Sequence, residues 1–254
     1  MKVSLSKMQR ANGIIADLLC DIAPLVRPGA SAAELDRWAE DYIRDKGGKP
    51  AFKGLYGFPS TLCVSINEEV VHGIPREGRT IADGDLVSID VGAVVEGHYA
   101  DAARTFGAGE VSEDLRRLMK VTRESFFIAV EYARPGFHIG DMGHAVQRFV
   151  EEQGFNVIRD FVGHGIGRKP HTAPEIPNFG EPGEGDLIRE GMYLAIEPMV
   201  VTGDWPIHIL DDHWTVVTQD GGISAHYENT VFVSKEGPMI LSAGRCEGDY
   251  GQKQ

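Results

Sequence analysis

Four acidic residues and three histidines of this 254-residue chain have the types and settings that hydrolytic metal chemistry needs. Asp90 ends the apolar run Leu86-Val87-Ser88-Ile89, and Glu197 ends a second run, Tyr193-Leu194-Ala195-Ile196. Carboxylates set in segments with that burial tendency need partners, and no local density of Lys or Arg supplies them. Divalent cations would. If Glu96-Gly97 makes a two-residue turn, Val95 faces His98 and Asp101 lies opposite Gly92. Asp90 and Asp101 are then diagonal neighbours on one face, roughly 7 to 8 Å apart at the backbone. Glu228 begins or lies within a last strand, just before Val231-Phe232-Val233. Singly, each of these acids also fits an exposed sheet face or edge.

His164 sits in Gly163-His164-Gly165-Ile166-Gly167, and Pro170, Pro174 and Pro177 forbid a helix after it. A nucleotide loop opening a helix is therefore not the reading. The glycines instead let the backbone pass close to a site into which His164 points. His171 follows on the same Pro-rich loop, at a spacing that excludes the helical H-E-x-x-H zinc motif. His72 lies in Glu68-Glu69-Val70-Val71-His72-Gly73-Ile74-Pro75. Each histidine, taken singly, is more often a hydrogen-bonded structural residue.

The elements that position these groups repeat. Asp90 and Glu197 are 107 residues apart, as are Arg27-Pro28-Gly29 and Arg134-Pro135-Gly136, and Gly47 and Gly154. A duplicated helix, turn, helix, strand unit with carboxylates at equivalent strand ends predicts two half-domains whose acidic side chains converge between them. Ala11, Ile14, Ile15, Leu18, Leu19, Ile22 and Val26 recur at helical spacing before Pro28-Gly29. Ser31-Ala32-Ala33-Glu34 has capping-box form ahead of Leu35, Trp38, Ala39, Tyr42 and Ile43. Ser112 opens the second copy, where Leu115, Leu118, Met119, Phe126 and Val130 precede the turn and Met142, Val146, Phe149 and Val150 follow it. Four helices on one side of a largely antiparallel sheet are expected. Strands are predicted over 61–66, 86–95, 98–106, 157–161, 193–200, 214–218 and 227–233.

Composition bounds the function. A net charge of −13 leaves no Lys/Arg stripe for a nucleic-acid backbone. Cys20, Cys63 and Cys246 are odd in number and widely spaced, which predicts neither a disulfide framework nor a zinc ribbon and fits a reducing cytosol. No apolar signal core is present, and no stretch approaches the roughly 18 apolar residues of a membrane span. The reading is one catalytic domain over 1–246, with pseudo-repeats of about 1–110 and 111–246, and a frayed polar tail at 247–254.

Taken together, Cys63-Val64-Ser65-Ile66-Asn67-Glu68-Glu69-Val70-Val71-His72-Gly73-Ile74-Pro75, Asp90-Val91-Gly92 with Asp101, Gly163-His164-Gly165-Ile166-Gly167, Ile196-Glu197-Pro198-Met199 and Glu228 resemble the type I methionine aminopeptidases in their short bacterial form. The match covers nearly the whole chain with its motifs in family order. The resemblance implies an α+β pita-bread fold with pseudo-twofold halves, and two divalent metal ions held by Asp90, Asp101, His164, Glu197 and Glu228. By that analogy Asp90 serves one metal, His164 and Glu197 the other, and Asp101 and Glu228 bridge. Glu197 would also be the general base. His72 and His171 would contact the substrate amide and developing oxyanion, and Cys63, Phe58 and Trp214 would line a methionine pocket. Four carboxylates and one imidazole favour Mn, Fe or Co, with Zn also compatible.

The implied activity is removal of the initiator methionine from nascent chains and peptides with a small second residue, by a cytoplasmic monomer acting near ribosomes without binding nucleic acid or membrane. The chain departs from the pattern at Leu55, often tyrosine in relatives, at Lys169-Pro170-His171-Thr172, and at His226 and Asn229, where glutamine and histidine are common. Xaa-Pro peptidases of the same fold keep the five ligands but usually carry a large extra amino-terminal domain. A catalytically silent binding module would lack metal ligands. A two-metal phosphoesterase would want more cations than Arg168-Lys169.

Overall fold

The computed structural model describes residues 2–246; Met1 and the expected polar tail at 247–254 lie outside the described residues. Helix α1 (Leu5–Ile22) buries Met8, Ala11, Ile15, Leu18, Leu19 and Ile22 along one stripe. It stops at Ile22, short of the expected Val26. Pro24 has no N–H for the α ladder, and the chain tightens into a 3₁₀ turn over Ala23–Leu25. Helix α2 (Ala32–Asp45) follows, and α3 (Glu113–Tyr132) and α4 (Ile139–Glu152) form the second pair. Ser112 caps α3, its hydroxyl accepting from the Leu115 N–H at 3.4 Å.

The capping box expected at Ser31 does not form: its side chain makes no cap bond. Its backbone is instead engaged in a bridge to Thr80, and the Ala32 N–H donates to the Arg79 carbonyl at 3.0 Å. The second copy repeats that bridge 107 residues on, between His138 and Leu187. There a side-chain cap does appear, with Asp141 accepting from the His138 N–H at 2.7 Å. Gly47 and Gly154, after the second helix of each pair, both take left-handed backbone, φ 78° and 79°.

All strand pairs are antiparallel. The nine-stranded sheet runs in the order Lys49–Pro50, Leu86–Val95, His98–Gly107, Glu228–Val233, Tyr193–Ile196, Gly163–Gly165, Thr172–Ile176, with Leu62–Ile66 also pairing Leu86–Val95 and Pro238–Ile240 pairing Glu228–Val233. The predicted hairpin register holds: Val95 pairs His98 and Gly92 pairs Asp101, through a turn with positive φ at Glu96 and Gly97.

Strand alternation decides which side each residue serves. Val87, Ile89, Val91, Ala93, Ala100 and Ala102 pack in one core with α1 and α2. Leu194, Ile196, Val231 and Val233 pack in a second with α3 and α4. Asp90, Asp101, Glu197 and Glu228 have the opposite parity, so they face away from the helices. Covering one side with helices leaves the other for the acids.

Three strand expectations change. The 157–161 segment pairs only at Asn156–Val157, and 214–218 shortens to Val216–Thr218. The 193–200 run breaks at Glu197-Pro198, because Pro198 cannot donate to a ladder; Met199–Val201 then joins a separate small sheet.

The cysteine expectation is also corrected. Cys20 and Cys246 form a disulfide with Cα atoms 5.6 Å apart, and only Cys63 stays free and buried. The partners are 226 residues apart, so spacing carried no trace of them. Arg245 ties its own segment to α1 by pairing with Asp17 at 2.5 Å and with Asp21. With Cys20 and Cys246 joined, cysteine usage no longer points to a reducing compartment. No described helix is long and apolar enough to cross a membrane.

Candidate active site

Five neighbouring strands of the large sheet each deliver one polar group to the helix-free face. In sheet order they are Asp90 on Leu86–Val95, Asp101 on His98–Gly107, Glu228 on Glu228–Val233, Glu197 just past Tyr193–Ile196, and His164 on Gly163–Gly165. Register aligns them: Asp90 and Glu228 both pair with Ala103 from opposite sides, and His164 pairs with Ala195.

The side chains converge. Ligand atoms of Asp90, Asp101 and Glu228 lie within 4.8 Å of one another, as do those of His164, Glu197 and Glu228. Glu228 belongs to both groups. A third group of the same tightness joins Asp101, His164 and His171, which sets His171 beside the cluster. His164 Nε2 is 3.6 Å from Glu197 Oε1, and its Nδ1 is 3.1 Å from the Gly165 carbonyl, which directs Nε2 inward.

Such crowding is costly without cations. Burial first, and then mutual repulsion, raises the carboxyls of Asp101, Glu197 and Glu228 well above the usual range, and burial lifts Asp90 to about 7. Burial pushes His72 and His164 down to about 4, with the neighbouring His171 adding to it. Asp90 Oδ1, Asp101 Oδ1 and Glu228 Oε1 are buried without a hydrogen-bond partner. Buried anionic oxygens left without donors fit a cation, so the residues present suit a divalent-metal centre.

The adjoining cavity is about 190 Å³ and mostly apolar. Cys63 pairs with Asp90 in the strand register, which sets it beside the acids. Phe58 is 4% exposed and meets Trp214 edge to face, ring centroids 5.1 Å apart. His72 takes left-handed backbone, φ 60°, and its ring lies against Phe161 at 5.4 Å and Trp214 at 6.4 Å. The next residue has no room for a side chain: a Cβ on Gly73 would lie 2.3 Å from the Val64 carbonyl oxygen. That close approach holds His72 in its strained backbone over the cavity. His171 is edge-on to His164 at 4.5 Å and stacks on the exposed Tyr56 at 6.1 Å. The expected metal, catalytic and pocket residues therefore all border one cavity.

Sequence reading missed several neighbours. Arg104 is buried beside Glu228, donating to the carbonyls of Ala103 at 2.7 Å and Glu228 at 2.5 Å and to Asn229 Oδ1 at 2.8 Å. Its charge works against the rise of the Glu228 carboxyl. The expectation of no cation near the acids is to that extent corrected. A single Arg directly after the small-residue run Ala100-Asp101-Ala102-Ala103 was the available signal. His226, 1% exposed with Nε2 3.7 Å from Glu197 Oε2, was noted only as a departure. Phe161, expected at the end of a strand, lies in a bend, and Tyr56 sits in a 3₁₀ turn over Leu55–Gly57 that is too short to show a period.

Residues 6–235 match the model of metallopeptidase family M24. A methionine aminopeptidase of Clostridium perfringens is 51% identical over 235 residues, 92% of this chain and 94% of that protein. The crystal structure of methionine aminopeptidase from Thermotoga maritima superposes with a TM-score of 0.92 at 45% identity, covering 93% of this chain and 95% of the other. A prolidase from Pyrococcus furiosus shares the fold alone, with a TM-score of 0.76 at 23% identity, covering 94% of this chain and 63% of its own. The pita-bread architecture follows from both structures, and the chain belongs to metallopeptidase family M24 and, within it, to the methionine aminopeptidases.

Proposed function

We propose that this protein removes N-terminal methionine from peptides and nascent chains by hydrolysis that depends on two divalent metal ions. The observation that carries the reading is the convergence of five strand-borne ligands, with orphaned buried oxygens, beside an apolar cavity that holds two further histidines. Asp90 would hold one ion, His164 and Glu197 the other, with Asp101 and Glu228 between them; the two tight groups that share Glu228 support that division. The carboxylate-rich donor set favours Mn, Fe or Co and tolerates Zn. Bound ions of this kind lower the pKa of water and polarise the scissile carbonyl.

The protein's own groups do the rest. Glu197 would accept the proton from the attacking water, since its carboxylate borders the cavity beside His164, with Oε1 3.6 Å from His164 Nε2. His72, kept neutral by burial, and His171, more exposed but also pushed below its ordinary value by partial desolvation, would donate hydrogen bonds to the substrate amide and to the oxygen that gains charge. Phe58, Trp214 and Cys63 surround an apolar side chain, and sulfur-aromatic contacts of about 0.3 to 1.5 kcal/mol each suit methionine.

Hydrolysis of Met-Ala-Ser, Met-Lys-Ser and the dipeptide Gly-Pro, each with Mn(II), with Co(II) and after chelation, tests this. Met-Ala-Ser should be cleaved fastest, and only with metal. Full activity in a demonstrably metal-free sample refutes the metal centre, faster Gly-Pro cleavage supports a proline-specific peptidase instead, and faster Met-Lys-Ser cleavage refutes the small second residue.

A further inference from the structure

His226 is a buried polar group that the chemistry above leaves without work. It ends the Ser224–His226 strand, two residues before Glu228, and its backbone is firmly held. Thr105 grips its backbone twice: the hydroxyl accepts from the His226 N–H at 2.8 Å and donates to the His226 carbonyl at 2.9 Å. Ser88 Oγ stands 2.8 Å from the same hydroxyl, and Met199 pairs with His226 across the small sheet. Its Nε2 is buried without a hydrogen-bond partner. The ionisable groups that face it are Glu197, His72 and Arg104. Arg104 offers no acceptor and is committed to the Ala103 and Glu228 carbonyls and to Asn229. Glu197 Oε2, 3.7 Å from Nε2, is the facing carboxylate.

We infer that His226 is a positioning residue for Glu197, its Nε2–H donating to Glu197 Oε2 so that Oε1 stays directed past His164 into the cavity. The inference rests on the proposed role of Glu197 as proton acceptor. Closing the gap by about 0.9 Å brings the pair into charge-assisted hydrogen-bond range, a movement within reach of a side-chain torsion. A carboxylate that must meet a water proton at hydrogen-bond distance gains from having its second oxygen fixed. Partners placed behind a metal ligand in this way typically carry 10- to 100-fold effects.

The test compares His226→Gln, which keeps an N–H donor at similar reach, with His226→Leu, which removes it, in the full chain loaded with Mn(II) and assayed on Met-Ala-Ser. His226→Leu should lose about 10- to 100-fold in kcat with KM and bound-metal stoichiometry unchanged, and His226→Gln should stay within a few-fold of the parent. In a Glu197→Gln background, adding His226→Leu should lower the residual rate no further. The inference is overturned if His226→Leu turns over like the parent, if His226→Gln falls as far as His226→Leu, or if either loses metal. Parent-like turnover by Glu197→Gln itself sinks the general-base reading instead, which keeps the two failures apart.

Discussion

Stripping the divalent cations should make the stability of this protein fall as pH rises. Burial lifts Asp90 from 3.8 to about 7, and Asp101, Glu197 and Glu228 lie well above their ordinary values. A carboxyl raised in the folded state keeps its proton where the unfolded chain has released it. Its contribution is therefore complete below the ordinary carboxyl range and is lost as pH climbs through the folded value. His72 and His164, depressed to about 4, and His226, depressed to about 3, act in the opposite sense, but their contribution is complete above the ordinary 6.5. Above that pH the carboxyls alone set the slope. Each one still protonated between about pH 6.5 and 8 costs about 2 kcal/mol over the interval, from about 1.4 kcal/mol per pH unit. For a chain of this size that is a Tm lower by about 4 to 8 °C per retained proton. Bound cations replace those protons, so the loaded protein should show little slope. Thermal unfolding at both pH values, with chelator and with Mn(II), reads the difference directly. A chelated Tm that stays level or rises across the interval refutes the account of the acids as buried and uncompensated.

Two substitutions probe how the site is held. His171→Ala should lower turnover by an amount near the roughly 2.7 to 4 kcal/mol of a lost oxyanion donor while two metals remain bound, measured by kcat alongside metal analysis; loss of the metal pair would reassign His171 as a ligand, which its place in a tight group with Asp101 and His164 makes a pointed test. Gly165→Ala would put a Cβ 2.2 Å from the Ala173 carbonyl oxygen and 2.6 Å from Thr172 Oγ1, so it should cost about 1 to 3 kcal/mol and disturb His164. Gly13→Ala, on α1 with nothing within 4 Å of its Cβ, is the matched control and should be neutral or stabilising by up to about 1 kcal/mol. Equal Tm and kcat for Gly165→Ala and the parent would refute the close-approach reading of that glycine.

What the sequence made legible was whatever depended on alternation and repetition. The turn at Glu96-Gly97 set the register of its hairpin, and parity along the strand then placed Asp90 and Asp101 on one face. The 107-residue offset carried that reasoning to Glu197 and reappears in the paired bridges Ser31 to Thr80 and His138 to Leu187. Contacts with no local signature were not legible. The bond between Cys20 and Cys246 joins a helix end to a distant segment, and nothing in either neighbourhood announces the other. The Ser31 cap failed because a tertiary bridge satisfied the backbone first. Short strands such as Glu69–Val71 and Ile207–Ile209 exist because the neighbouring chain segment Val216–Thr218 offers them a ladder, and three residues are too few to show a period.

The site itself was legible because it breaks local rules. An acid at the end of an apolar run contradicts burial, and doing so twice at one offset contradicts chance. The structure shows what the contradiction costs: buried oxygens on Asp90, Asp101 and Glu228 have no donors, and each carboxyl is pushed toward its neutral form. A fold indifferent to metal would place apolar residues at these positions. The rest of the sheet instead supports them, with two helix pairs packing behind one face and Arg104 reaching the backbone of Glu228 from that side. The same arrangement explains why substitutions that look mild in sequence should matter here. The space around Gly73, Gly163 and Gly165 is filled by carbonyl oxygens within 2.4 Å of a virtual Cβ, so the backbone that carries His72 and His164 has one place to go. On the proposed function, removing one of these acids should relieve repulsion and stabilise the metal-free chain even as hydrolysis is lost, so the two effects must be measured separately.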